Sequence, residues 1–333
     1  MKKEKDLLLI SSIFGILYVI FSIAISFASN NLFSDNMVLN IINISLYVLG
    51  LTSSIIFIYL SISKTKLDNK RGIIFFCSLI LFFINIISGI LGFIVYSKEN
   101  KKNMRPLPTL EIEHNYKWYV YLGVFLVCMG IMFGLSRLFT KRIHSIGAYI
   151  FMLSMLIFIF RKDLKRDFSY FKKYFREYSS GVFKIYGISL LVLAILNISI
   201  RLYTGLDNPT NQSALNDMFK SVPIFVIILA VIYAPIAEEL MFRGIFRKFI
   251  NNKWLFILTS GILFGLAHVI DDFKNVKELL FILVYSSLGC FLSSLYYKTN
   301  NIFTNIMFHF IQNSLAVIGM IIITYFPNII GLI

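Results

Sequence analysis

Three short stretches carry residue types that hydrolytic chemistry uses. They read APIAEELMFRG at 234–244, GILFGLAHV at 261–269 and FHFIQNS at 308–314. In the first, Glu239 and Arg243 stand four apart, acid before base, a spacing at which helical side chains share a face and pair. Glu238 projects about 100° away from its neighbour on a helix. One carboxylate is thus neutralised along its own helix while the other faces something else. Pro235 can kink that helix and free backbone groups just before them. In the second stretch Phe264 and His268 are four apart, and in the third so are His309 and Asn313. A desolvated carboxylate beside a neutral imidazole can hold a water and take its proton. A second imidazole and a carboxamide on one helical face offer donors for a developing oxyanion. Together they suit hydrolysis of an amide or similar acyl bond. Glu238, His268 and His309 are also a ligand set for a divalent metal such as zinc with an open position. No HExxH is present, which excludes the usual zincin arrangement and leaves metal-bound and metal-free water both open.

The surrounding chain sets the cost of these groups. Of 333 residues, 58% are hydrophobic and 34 are Phe, and the mean hydropathy is +0.78. That composition excludes an ordinary soluble domain and fits a polytopic membrane protein. A charge at membrane depth costs at least ~2.5 kcal/mol on insertion scales, so polar groups held there point to function. Each has a bland reading alone. A single intramembrane His or Asn is often interhelical glue worth about 1 kcal/mol, and Arg243 alone would pass for an interfacial anchor. The combination on successive apolar runs argues otherwise. His114 and His144, in or beside polar connectors, read as solvated residues.

Runs of roughly 20 apolar residues, the length of a membrane-spanning helix, fall near 7–29, 37–62, 72–96, 118–139, 143–160, 182–203, 222–248, 254–270, 278–297 and 302–325. The expectation is an all-α polytopic helical bundle of about ten transmembrane helices, since only helices satisfy their own backbone in lipid without closing a barrel. The run 72–96 is either a tilted helix or a tight hairpin, and the last run has room for a break. Residues 1–100 read as an N-terminal helical appendage of about three spans. Residues 101–117, with Pro-Leu-Pro, read as a polar linker, and 118–333 as the chemistry-bearing bundle. The net charge is +15. Its basic residues cluster between apolar runs, so the partner they fit is a lipid bilayer with anionic headgroups rather than nucleic acid. Connector 161–180 holds Arg161, Lys162, Lys165, Arg166, Lys172, Lys173 and Arg176. Connector 204–221 has Lys220 alone, and 243–253 has Arg243, Arg247, Lys248 and Lys253. That alternation puts 161–180 and 243–253 in the cytoplasm. Residues 1–6, 63–71 and 97–117 are all basic as well, which a hairpin at 72–96 would reconcile. The N-terminus mimics a signal peptide, but its apolar run is longer than usual and reads as a retained helix. Cys77, Cys128 and Cys290 lie far apart in apolar runs, with no disulfide or CxxC pattern.

In order and spacing, EELMFRG, FGLAH and HFIQN resemble the CPBP (Abi) family of intramembrane proteases, which includes the type II CAAX prenyl proteases. The family pattern EExxxR, FxxxH, HxxxN is met at Glu238, Glu239 and Arg243, at Phe264 and His268, and at His309 and Asn313. The resemblance spans roughly 120–330. It implies Glu238 as general base with His268 as its partner on water. It implies His309 and Asn313 as the oxyanion site and Glu239–Arg243 as a supporting ion pair. It also implies a CAAX prenyl protease 2-like endopeptidase, multi-pass in the cell (plasma) membrane. The substrate would be a hydrophobic or membrane-tethered peptide, prenylated or pheromone- or bacteriocin-like. No cofactor is expected, with a divalent metal such as zinc on Glu238, His268 and His309 as the alternative. Two other classes compete: a non-enzymatic membrane scaffold or bacteriocin-immunity protein on the same fold, and a proton-coupled transporter. The transporter is disfavoured because no inverted repeat is visible.

Overall fold

The structure is a computed structural model, and it describes residues 2–28, 37–101, 104–138, 142–206, 208–270 and 274–325. Every regular element among them is helical. The side chain of His144, and Asp271 and Asp272 beyond His268, lie outside the described residues. The chain divides into two compact units, Met1–Met104 and Arg105–Ile333.

The first unit holds α1 (Lys2–Ala28), α2 (Met37–Ile62), α3 (Arg71–Ile84) and α4 (Ile86–Lys101). Asn85 breaks the third apolar run by turning to extended backbone at φ −143° and ψ 109°. Added Cβ atoms on Gly89 and Gly92 would collide with Phe82 and Ser78 respectively. These pairs are nearly symmetric about Asn85, which makes α3 and α4 an antiparallel hairpin and returns the chain to the side it left. At 14 and 16 residues, each arm is too short for a hydrocarbon core of about 30 Å. The interior between these helices is lined by small polar residues, with Ser11, Ser54, Ser78 and Ser88 fully buried.

The second unit holds α5 (Trp118–Leu138), α6 (Arg142–Lys173), α7 (Phe175–Thr204) and α8 (Thr210–Ser221). It continues with α9 (Pro223–Ile245), then α10 (Lys253–Val269), α11 (Phe281–Thr299) and α12 (Ile302–Tyr325). Six helices among the described residues are long and apolar enough to cross a membrane, and Trp118–Phe133 and Lys253–Val269 are shorter apolar helices. The expected count of about ten is not confirmed by this criterion, and one of the apolar runs is a hairpin of two short arms. The polar stretch 161–180 is not a loop. α6 continues to Lys173 and α7 starts at Phe175, because Lys, Arg and Glu are good helix formers once clear of lipid. The last apolar run is one unbroken helix, and its polar residues Asn305 and His309 turn inward.

Residues 105–117 form an extended strap along one end of this unit. Three of its backbone carbonyls are fastening points, beside side-chain ties from Arg105 to Glu177 and from Glu113 to Arg166. Asn300 donates to Leu110 O at 2.8 Å, Arg166 to Glu111 O at 2.9 Å and Lys248 to Glu113 O. Asn300 can do so because it turns α11 into α12 in the left-handed region, at φ 44°, where Asn is tolerated. Lys248 also bonds both oxygens of Asp163 at 2.9 Å, and Arg166 pairs with Asp167 at 2.8 Å. Asp167 in turn caps α12, accepting from Ile302 N at 2.9 Å.

α10 and α11 pack through small residues. A Cβ on Gly289 would lie 2.8 Å from Gly261 Cα, and one on Gly265 would lie 2.7 Å from Ser286 N. Close backbone approach of this kind is what holds helices together where lipid removes the hydrophobic drive.

Candidate active site

α9 is irregular where the chemistry lies. It changes to π-helix at Ile228–Tyr233 and again at Glu239–Ile245. In the first bulge Ala234 N bonds to Leu229 O, five residues back. Pro235 has no N–H to continue that register onto Ala230 O. The orphaned carbonyl is taken by the Asn313 amide from α12, at 2.7 Å. Proline thus creates an acceptor that fixes Asn313, and leaves one Asn313 N–H for other use.

Beyond the proline the two glutamates separate as their angular offset requires. Glu239 and Arg243 are both 0% exposed. They pair at 3.1 Å through Arg243 Nη1, and Nη2 donates to Gly289 O at 3.0 Å. Arg243 also lies over the Phe264 ring, 4.6 Å from its centre. Glu239 does more than neutralise Arg243. Its Oε1 also accepts from His309 Nδ1 at 2.8 Å, and its Oε2 accepts from Asn305 Nδ2 at 3.1 Å. Asn305 spends its second N–H on Leu292 O at 2.7 Å. Ionic groups this deep persist only when paired. This network partners both Glu239 oxygens and both terminal guanidinium nitrogens, leaving Arg243 Nε and Asn305 Oδ1 without a hydrogen bond among the described residues.

Glu238 faces the other way, into a cavity of about 370 Å³ lined also by His268, His309 and Asn313. Its Oε2 lies 3.8 Å from Nε2 of His268 and 3.8 Å from Nε2 of His309, and has no hydrogen-bond partner. Both imidazoles are oriented from behind. His268 Nδ1 lies 2.8 Å from Phe264 O. A carbonyl only accepts, so Nδ1 carries the proton and neutral His268 presents a bare Nε2. The same holds for neutral His309 against Glu239. The His268 ring is also clamped between Phe264 at 4.3 Å and Tyr285 at 4.8 Å. Tyr285 reaches on to Asn211 of α8, 3.4 Å from its hydroxyl.

With both imidazoles neutral, three acceptors therefore converge with no donor among them, which suits a water giving both protons. The same atom types would suit a divalent metal, but the spacing is wide for one. Two ligands about 2.1 Å from a tetrahedral ion stand roughly 3.4 Å apart, and no described group of His, Cys, Asp or Glu is drawn in that far.

All six residues singled out from sequence sit on or directly behind this cavity. Glu239 and Arg243 lie behind its wall, and Glu238, His268, His309 and Asn313 line it. Asn305 was missed, although Asn305, His309 and Asn313 repeat every four residues on α12 and so share a face. Tyr285 left no spacing signal, since it meets His268 across two helices.

The family model for type II CAAX prenyl endopeptidase Rce1-like proteins matches residues 220–315, which contain every one of these groups. Among curated proteins, the chain is 32% identical over 134 residues to UPF0177 protein YbdI of Lactococcus lactis subsp. lactis (strain IL1403), covering 38% of this chain and 73% of that protein. UPF0177 protein YvdC of the same strain is 33% identical over 133 residues, covering 39% of this chain and 49% of its own. A Bacillus subtilis (strain 168) protein named "Putative membrane peptidase YdiL" is 31% identical over 111 residues, 32% of this chain and 42% of its own. The chain thus matches under half the length of two of these relatives. No solved structure matches it. With the motif residues gathered around one cavity and kinship extending over most of YbdI, the chain belongs to the Rce1-like CPBP (Abi) family of membrane proteases.

Proposed function

We propose that the protein is a glutamate-dependent intramembrane endopeptidase of the cell (plasma) membrane. It would cut a hydrophobic or membrane-tethered peptide in the Glu238 cavity. The observation that carries this reading is the convergence of two Nε2 atoms on Glu238 Oε2, each 3.8 Å from it. A water there donates to Glu238 and His268. Glu238 takes its proton as the oxygen attacks the scissile carbonyl, and that carbonyl's electron pair becomes the oxyanion. In the reactive form His309 has taken a second proton from solvent, so that its Nε2–H and the free N–H of Asn313 receive the oxyanion. His309 can carry that charge because the Glu239 carboxylate backs its Nδ1. As the tetrahedral intermediate collapses, protonated Glu238 returns its proton to the leaving amine. Glu239, Arg243 and Asn305 hold His309 and are positioning residues.

No cofactor takes part in this scheme. Were a zinc ion bound, Glu238, His268 and His309 would hold it, and it would supply Lewis-acid polarisation of the carbonyl. The test is peptide release from membranes of cells making the parent chain or Glu238→Gln. Glu238→Gln keeps the shape but cannot accept a proton, so cleavage should fall by about 10²-fold or more while the protein stays folded. Chelator treatment should leave cleavage unchanged. Undiminished cleavage by Glu238→Gln would sink the mechanism.

A further inference from the structure

The catalytic cavity is backed on one side and roofed on the other. Its floor is Glu238, Met241 and His309. Directly behind the floor lie Glu239, Arg243, Phe242 and Asn305, all 0% exposed, with Phe308 also at 0%. The polar members of that layer are tied to one another and to the carbonyls of Gly289 and Leu292. The floor side is thus backed by buried, mutually bonded side chains. Yet Glu238 and His268 keep 15% and 21% of their side-chain surface exposed, so the cavity opens elsewhere.

The lining residues say where. α6 contributes Tyr149 and Met152, near its start and far from its basic end at 161–173. α12 contributes Asn313, Val317 and Met320 from its C-terminal half. The roof is Asn211, Gln212 and Leu215 of α8. α8 follows the C-terminus of α7, a 30-residue helix that begins at the basic connector. At 1.5 Å per residue such a helix is about 45 Å long, enough to carry the chain across a bilayer. α8 is a separate amphipathic piece. Ser213, Ala214 and Asp217 are exposed, whereas Phe219 is buried. It is pinned at its start by Glu278, whose carboxylate accepts from Thr210 N at 2.8 Å and Thr210 Oγ1 at 3.0 Å.

Basic connectors face the cytoplasm. We propose, building on the protease reading, that the catalytic cavity opens to the extracytoplasmic side beneath α8. Its substrate is then an exported or outer-leaflet peptide segment, not a cytoplasmic C-terminal tail. The chemistry of the opening agrees. Asn211 and Gln212 present carboxamides suited to the backbone of an extended peptide, above a mostly apolar wall.

The test does not depend on catalysis, so its outcome is separable from that of Glu238→Gln. Single cysteines are placed at Ser213 and Asp217 on the outer face of α8, at Gln212 on its cavity face, and at Lys162 and Lys165 on the basic end. Cells producing each full-length variant are treated with a membrane-impermeant maleimide before and after permeabilisation, with the parent chain as background. Ser213→Cys, Asp217→Cys and Gln212→Cys should label fully in intact cells, and Lys162→Cys and Lys165→Cys only after permeabilisation. The reverse pattern overturns the proposal. So does labelling of Ser213→Cys without Gln212→Cys, because the cavity would then not be reached from that face.

Discussion

Asn305 is a side chain whose role is plain in the structure, binding both Glu239 and the Leu292 carbonyl. Removing it by Asn305→Ala leaves Glu239 Oε2 buried without a donor, at a cost on the order of 1–3 kcal/mol. A lowered unfolding temperature in detergent, together with a fall in kcat larger than any change in KM, would confirm a positioning role through His309. The Glu239–Arg243 pair makes a sharper case. Glu239→Gln strands a fully buried guanidinium and should cost roughly 3–5 kcal/mol. Adding Arg243→Met should restore most of that stability without restoring cleavage, since His309 still lacks its carboxylate. Equal recovery of both in the double variant would show the pair to be purely structural. The pair itself was legible because four-residue spacing on a helix is a local rule. The Glu239–His309 and Glu239–Asn305 bonds span 70 and 66 residues, and only the packing of α9 on α12 creates them.

At the scale of elements, the two π-bulges of α9 explain more than the family motif does. Pro235→Ala supplies an N–H that can compete for Ala230 O. The variant should be as stable as the parent or more so, while cleavage falls because Asn313 loses its anchor. A parallel loss of stability and activity would contradict this account. The α10–α11 contact behaves differently. Gly289→Ala forces a Cβ against the Gly261 backbone, which cannot yield as a side-chain tip can. It should cost about 1–3 kcal/mol and displace His268 and Tyr285, measurable as reduced abundance in membranes and a lower unfolding temperature. Sequence periodicity located nearly every helix but misjudged what joined them. The charged stretch 161–180 resembled a loop by composition, and helix propensity decided otherwise. Asn85 marked a hairpin that hydropathy alone could not separate from a tilted span.

Taken as a whole, the second unit is chemically two-ended. One end carries the apolar cavity, the other a buried charge cluster around Asp163, Arg166, Asp167 and Lys248. Burial pushes the Asp167 carboxyl up from 3.8 to about 6, with Arg166 opposing. Between those values the folded chain holds a proton that the unfolded chain has released, so this group's stabilisation grows as pH falls from 6 toward 4. Unfolding temperatures measured across that window should show the trend in the parent and a flatter profile in Asp167→Asn. The same cluster grips the strap at 105–117 through the carbonyls of Glu111 and Glu113 and through an ion pair of Arg166 with the Glu113 carboxylate at 3.2 Å, while Asn300 holds the Leu110 carbonyl. Main-chain carbonyls are common to all twenty amino acids. At exposed Glu111, held by its carbonyl alone, the strap is therefore free to drift in sequence while its path stays constant, whereas Arg105, Leu110 and Glu113 are held by their side chains as well. Relatives that differ at Glu111 would still be clasped there by the same Arg166.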